Sequence, residues 1–460
     1  MRHQEAWSSL EMRAGYSLAM IYAVRMMGLF MILPVFSVYA ESIPDATPVL
    51  IGLALGIYGL TQGLLQIPYG MLSDRFGRKP MITLGLLIFA VGSLVAAFSD
   101  SIYGIIVGRA LQGSGAIAAV LMALAADLSR EEHRLKMMGM IGVSIGFAFA
   151  LSMVLGPALG KYVGISGLFV FTAIMSVLAI VILYTLVPDP RHSFFHRDTQ
   201  ASPTEFSEVL ADRQLLRLDF GIFVLHMVLM ASFVAIPLML QNEAGFPVNQ
   251  HWKLYLPVFL LSVVLMVPFI IKAEKKRRMK QVFLGAIGAL ALAEMGLFAR
   301  GDSVWHVGFT LVVFFTAFNL LEASLPSLVA KMAPADRKGT AMGLYSTGQF
   351  LGAFAGGALG GFSYQHWGSG GVFLVCTLGI LLWLLIAVGM KNPRYVSTYL
   401  LNVGKIPPES VNEMIAQLVA VRGVAEVSVD AEEGIAYLKV ELHALDEAKL
   451  HKYSVNKSKL

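Results

Sequence analysis

Charge is what this chain is short of: Asp, Glu, Lys and Arg make up 14% of its 460 residues, where soluble proteins carry roughly 25%. With 57% hydrophobic residues alongside, it has too little polar surface to cover a globule in water, and lipid is the solvent that fits it. Cysteine is almost missing as well. The single Cys376 lies in an apolar run, which excludes an intrachain disulfide and any cysteine-based metal centre and reads as a small packing residue. There is no Gly-rich, Lys-Ser/Thr loop to cradle phosphates, so ATP-driven work is disfavoured. Paired catalytic carboxylates, a metal cluster and a nucleophile elbow are also lacking, so no enzyme activity, cofactor or metal is expected. The net charge of +5 would raise nucleic acid as a partner for a soluble protein; here the distribution of charge matters more, and no nucleic-acid partner is expected.

What is present is a succession of long apolar runs. Crossing ~30 Å of hydrocarbon takes roughly 20 residues of helix. Twelve such runs can be read: 16–40, 49–73, 80–99, 101–126, 136–160, 166–187, 218–240, 252–272, 280–299, 303–330, 338–364 and 369–390. Val38-Tyr39-Ala40 resembles a signal-peptidase site, but the first run is long, carries Arg25 and precedes many like it, so it reads as an uncleaved span. The fold class expected is an all-α polytopic membrane protein of twelve transmembrane helices. Two six-helix halves, 1–187 and 218–390, flank a polar linker at 188–217, and a soluble segment follows at 391–460.

Charge orients the spans. With the N-terminus on one side, that side collects Arg2, Arg13, Arg75, Arg78, Lys79, Arg130, Arg134, Lys136, the basic stretch Lys272–Lys280, Lys331, Arg337, Lys338, Lys391 and Arg394, with further arginines in the linker. The other side holds only Lys161, Lys253 and Arg300. Cytoplasmic loops carry the excess of Lys and Arg, so both termini are expected in the cytoplasm.

The two halves also echo each other. Ile67-Pro68-Tyr69, Asp74-Arg75, Arg78 and Gly85 face Val267-Pro268-Phe269, Glu274-Lys275, Arg278 and Gly285 two hundred residues on. Gly156 and Ala158-Leu159-Gly160 face Gly356 and Ala358-Leu359-Gly360 at the same offset, and Met138-Gly139 faces Met342-Gly343 four residues out of step. Duplicated halves with corresponding loops mark secondary transporters.

Gly70-Met-Leu-Ser-Asp74-Arg75-Phe-Gly77-Arg78-Lys79 follows the second run. Glycines allow a tight turn and close approach, and the Asp/Arg set can make salt bridges that switch. This segment resembles the signature loop of the major facilitator superfamily. Arg109-Ala-Leu-Gln112-Gly113-Ser-Gly115 resembles that family's second motif, whose arginine the resemblance implies in proton coupling. Ser152-Met-Val-Leu-Gly156-Pro157-Ala-Leu-Gly160-Lys161 resembles its antiporter signature, with Ser152 and Lys161 where glycine is preferred; Gly156, Pro157 and Gly160 read equally as helix packing. Phe30-Met-Ile-Leu-Pro34 and Gly59-Leu-Thr-Gln62 bring residues 16–390 closest to the drug:proton antiporter branch. In the family's architecture spans two and eleven pack together, which would set Asp74 against the N-terminal end of span eleven near Lys338, with Arg78 reaching Asp127.

Charged and polar side chains inside apolar runs are costly and face a cavity or a partner. Arg25, Gln62, Arg109, Gln112, His226, Asn319 and Glu322 are the candidates for proton coupling or the substrate cavity, with Glu322 as the titrating acid and His226 as its relay. Asp219 and Glu294 lie nearer run ends and are expected to be interfacial.

After Pro393 the composition turns soluble, with strands expected at Val396–Asn402, Gly423–Val429 and Ile435–Leu442 and helices at Pro408–Val421 and from Asp446. The order β-α-β-β-α resembles a small α+β ferredoxin-like domain of the heavy-metal-associated kind. The loop Val403-Gly404-Lys405-Ile406-Pro407 has no thiol, so a regulatory or assembly module, through a ligand or self-association, is expected instead of metal binding. The Lys-containing end at 451–460 reads as a terminal appendage. Altogether the sequence implies a proton-coupled secondary exporter of small amphiphilic or drug-like molecules in a bacterial inner membrane, with small-molecule substrate, protons and lipids as partners. A proton-coupled importer and a membrane sensor signalling through its tail are the alternatives.

Overall fold

The computed structural model describes residues 7–189, 205–299, 302–334, 337–392, 397–431, 434–441 and 444–455. Half of the linker (190–204), Arg300, Arg394, Val396, Leu442 and residues 456–460 lie outside the described residues.

The membrane part is a sequence of helices: α1 (Ser9–Phe30), α2 (Phe36–Ala40), α3 (Pro48–Phe76), α4 (Arg78–Ala97), α5 (Ile102–Ser114), α6 (Ala118–Asp127), α7 (Glu131–Thr185), α8 (Phe206–Ala211), α9 (Arg213–Asn242), α10 (His251–Lys275), α11 (Met279–Ala299), α12 (Val304–Met332) and α13 (Lys338–Val388). Among the described residues, nine stretches of helix are long and apolar enough to cross a membrane. Two of them, 50 and 51 residues long, would each measure about 75 Å when straight, enough to cross ~30 Å of hydrocarbon twice. Both are interrupted by a glycine in the left-handed region, Gly164 at φ 63° and Gly368 at φ 65°. The pairing of these breaks, 204 residues apart, agrees with the four-residue slip in the sequence repeat.

Two runs expected to be continuous are broken. Residues 31–35 separate α1 from α2, because Pro34 lacks the N–H a helix needs and its ring clashes with the preceding turn. Residues 115–117 separate α5 from α6. A Cβ at Gly115 would stand 2.2 Å from the Gly85 carbonyl oxygen, so the chain passes the neighbouring backbone at a distance that only glycine permits.

The tail carries a three-stranded antiparallel sheet in the order β1-β3-β2, with β1 at Ser397–Asn402, β2 at Val424–Asp430 and β3 at Ile435–Val440. Its helices are shorter than the sequence implied: a 3-10 turn at Pro408–Ser410 precedes α14 (Val411–Val419), and α15 spans only Glu447–Leu450. Leu401, Leu418, Ala436, Leu438, Val440 and Leu450 make the core of this unit.

Candidate functional site: a central cavity closed at one end

A cavity of roughly 3230 Å³ runs between the helices of the two sequence halves. At one end its walls carry Asp74, Asp127, Arg130, Lys136, Lys331 and Lys338; at the other they reach Leu33, Met230, Phe259 and Phe318.

Two devices close the far end. The first is a set of aromatic rings from both halves. Phe149 of α7 meets Phe30 of α1 edge-on at 4.8 Å and Phe259 of α10 at 5.4 Å, and Phe259 meets Phe315 of α12 at 4.3 Å. Such rings contribute about 0.5–1.5 kcal/mol per pair beyond the area they bury. The second is backbone contact between α3 and α13. A Cβ at Gly52 would lie 2.2 Å from the Gly357 oxygen, one at Gly56 2.7 Å from the Phe354 oxygen, and one at Gly361 2.4 Å from the Pro48 oxygen. Small residues four apart on each helix let the backbones touch. The resemblance implied that these two spans pack together, but sequence reasoning passed over the glycines that make the contact, although Gly52-x-x-x-Gly56 and Gly357-x-x-x-Gly361 were legible as the signal for it.

Midway along the cavity, α9, α12 and α13 bring two predicted residues, His226 and Glu322, together with Gln349. The Gln349 amide nitrogen lies 2.8 Å from His226 Nε2 and donates to Glu322 Oε1 at 3.3 Å; His226 Nε2 and Glu322 Oε2 are 3.8 Å apart. Because the amide is a donor, neutral His226 accepts at Nε2 and carries its proton on Nδ1. The Glu322 side chain keeps 38% of its surface accessible; it lines the cavity, so that surface belongs to the cavity and not to the protein's exterior. Asn319, one turn earlier on α12, donates to Ser262 at 3.3 Å. The ring of Phe318 lies 5.9 Å from that of His226, which joins the polar cluster to the aromatic floor.

The N-terminal half contributes cations in place of acids. Arg109 lines the cavity, is 2% exposed, and spends its donors on Gln112 Oε1 at 2.8 Å and on the Ala54 and Leu55 carbonyls, with Tyr58 under its guanidinium at 5.2 Å. Gln112 passes the contact on to Ser93 at 2.7 Å. Arg25 sits behind the wall, donating from one nitrogen to Gln62 Oε1 and to the Gly115 carbonyl, both at 2.7 Å. The second bond satisfies an oxygen freed by the α5–α6 break, which gives Arg25 a structural use. Arg25, Gln62 and Gln112 are buried within their half, whereas Arg109, His226, Asn319 and Glu322 face the cavity.

The loop motif lies at the open end. Gly77, at φ 91°, ends α3 where a side chain would be strained. Arg78 donates to Asp127 at 3.1 Å and to Ser73 at 2.5 Å, and meets Asp74 at 2.5 Å. The Arg78 and Asp127 side chains are 1% and 0% exposed, and Asp74 is 36% exposed. Lys79 bonds the Val187 carbonyl at 2.8 Å and Asp189 at 2.6 Å, while Arg75 stacks over Phe76. A Cβ at Gly70 would meet only Ala119, at 3.6 Å. In the second half Lys331, 204 residues after Asp127, donates to Glu274, the counterpart of Asp74, at 2.8 Å.

Gly156 and Gly160 lie against the chain around the α1–α2 bend. A Cβ at Gly156 would stand 2.2 Å from the Met31 oxygen, and one at Gly160 3.0 Å from the Tyr39 ring, so this face of α7, with Pro157 inside it, holds the bend between α1 and α2.

Glu294 is not interfacial. It is 0% exposed and accepts from Ser232 at 2.7 Å, with Cys376 at 3.8 Å from that hydroxyl. A carboxyl in an apolar run seeks a polar partner on a neighbouring helix, and Ser232 supplies it away from the cavity.

At the mouth, Glu11 in the first turn of α1 accepts from Ser8 N and Arg130 N at 3.0 and 3.1 Å, and from the Arg130 side chain, with His133 Nδ1 at 3.0 Å. Burial works against its charge, but these donors outweigh it and hold the carboxyl well below the usual range.

A family model described as Major Facilitator Superfamily matches residues 18–357 and 278–405. The inner membrane transport protein YajR of Escherichia coli is 47% identical over 433 residues, covering 94% of each chain. The multidrug resistance protein MdtH of Yersinia enterocolitica is 27% identical over 74% of this chain and 84% of its own. In three dimensions the chain resembles a bacterial homolog to the human lysosomal transporter Spinster, in an inward-facing and occupied conformation, with TM-score 0.67 at 14% identity over 83% of this chain and 96% of that one.

Proposed function

This chain belongs to the major facilitator superfamily and is a membrane transporter, and from that premise we propose that it is a proton-coupled exporter of small amphiphilic molecules working by alternating access. Twelve spans are reached by taking α1 with α2, and α5 with α6, as single crossings and dividing α7 and α13 at Gly164 and Gly368. The basic end of the cavity is then cytoplasmic, the protein faces inward, and both termini share that side. The halves are 1–187 and 218–390, with the tail as a ferredoxin-like regulatory domain.

The observation that carries this reading is the Glu322–Gln349–His226 cluster. A carboxyl and an imidazole share one amide and open to the same cavity, so a proton and a substrate can compete for one place. Phe318 on the same helix, packed on His226, offers the apolar part of an amphiphile a surface beside that place. The resemblance to a multidrug resistance protein favours drug-like substrates. Import is the same chemistry run with opposite coupling. Purified protein in liposomes bearing a pH dye tests the reading: adding a lipophilic fluorescent probe against a proton gradient should release protons as the probe moves. A probe that moves without proton flux would refute the coupling.

A further inference from the structure

Strand β3 is covered on both faces. Ala436, Leu438 and Val440 point into the tail's own core, as alternation along a strand requires. The residues between them should face water in a sheet with helices on one side only. Instead Tyr437 is 2% exposed and Lys439 5% exposed.

The Lys439 ammonium shows what covers its end of this face. It donates to the Lys331 carbonyl at 2.9 Å and to the Ala333 carbonyl. These oxygens belong to the last turn and cap of α12, where no further N–H of the helix reaches them and where the helix dipole is negative. Pro334 follows and has no N–H to offer. Lys331 is meanwhile tied through its own side chain to Glu274 at the end of α10, so the docking point is braced. The tail reaches over the cavity from there: Tyr399, Leu400, Leu401 and Asn402 of β1, with His451 and Ser454, line its mouth beside Asp74, Lys331 and Lys338.

We propose that the tail is a clamp specific to one state, docking through Lys439 onto the end of α12 and holding the cavity open on the tail's side. Closing that mouth requires Asp74 of α3 and the start of α13 to approach, and β1, which lines the same mouth, would stand in the way. Docking and closure therefore exclude one another. The clamp rests on the alternating-access reading, whose regulation it names.

Cysteine labelling in the full chain tests it. Cys376 is fully buried, and a Cβ at Gly142, on the cavity wall, has nothing within 4 Å, so Gly142→Cys reports opening. In that background Lys439→Met should slow labelling by up to about tenfold, the scale set by losing a charge-assisted contact. It should also speed amide exchange at residues 331–333, while β3 stays protected. Lys439→Arg keeps the cation and should label like the parent. Parental labelling in Lys439→Met overturns the clamp if Asp74→Asn still changes the rate; a rate indifferent to both overturns alternating access and the clamp with it. Slow labelling in Lys439→Arg as well would overturn the role of the charge.

Discussion

Asp74→Asn separates the two conformers energetically. In the state described here Arg78 is neutralised chiefly by Asp127, at 3.1 Å with both side chains out of water, while Asp74 is 36% exposed. Losing a half-exposed ion pair costs about 0–1 kcal/mol. In the opposite state the mouth is shut, and Asp74 would be taken out of water against the N-terminal end of α13. A charge-assisted contact of that kind is worth roughly 1.5–3 kcal/mol. The difference, about 1–2 kcal/mol, redistributes two conformers roughly 5- to 30-fold. Asp74→Asn should therefore favour the inward-facing state, label faster at Gly142→Cys and turn over more slowly, with little change in affinity within either state. Unchanged labelling together with normal transport would return Asp74 to being a solvated loop carboxylate and refute the latch.

Gly357→Ala should act in the opposite direction. Its Cβ would lie 2.4 Å from the Gly52 oxygen, so the α3–α13 contact must part at a cost of about 1–3 kcal/mol, and labelling at Gly142→Cys should fall. Labelling as fast as in the parent would show that this contact does not close the outer side. Glu11→Gln should destabilise the protein at neutral pH by roughly 1.5–3 kcal/mol, the value of charge-assisted bonds. Because its folded carboxyl is held low, that contribution is present in full above the unfolded value of ~4.3 and is lost as pH falls from there through the folded value. Melting curves of parent and variant should stay apart from pH 7 to 5 and converge in stronger acid; a constant gap at all pH would contradict the assignment.

Much of this could be read from residues whose cost has a single remedy. Charges excluded from lipid mark loops, so a many-helix membrane fold was legible. Gly77 before Arg78-Lys79 marked a turn that the backbone takes at φ 91°. Glu322 and His226 belonged to different runs, and nothing in their spacing announced Gln349 as the group between them. Breaks at 31–35 and 115–117 were missed because hydropathy is insensitive to helix continuity, although Pro34 and Gly113-Ser-Gly115 stood there. Glu294 was misplaced because position along a run does not say which neighbour lies opposite; only assembly brings Ser232 to it. The burial of Lys439 likewise depends on a surface from another part of the chain, which strand alternation cannot reveal.

The central claim is that the Glu322 cluster links proton and substrate movement. Its most direct measurement is uptake of the lipophilic probe into liposomes as a function of the imposed pH difference, for the parent and for Glu322→Gln. A carboxamide keeps the hydrogen bond to Gln349 available but cannot exchange a proton. Parent flux should rise with the gradient, while the variant should bind the probe and ignore the gradient. A variant that follows the gradient as the parent does would contradict the account.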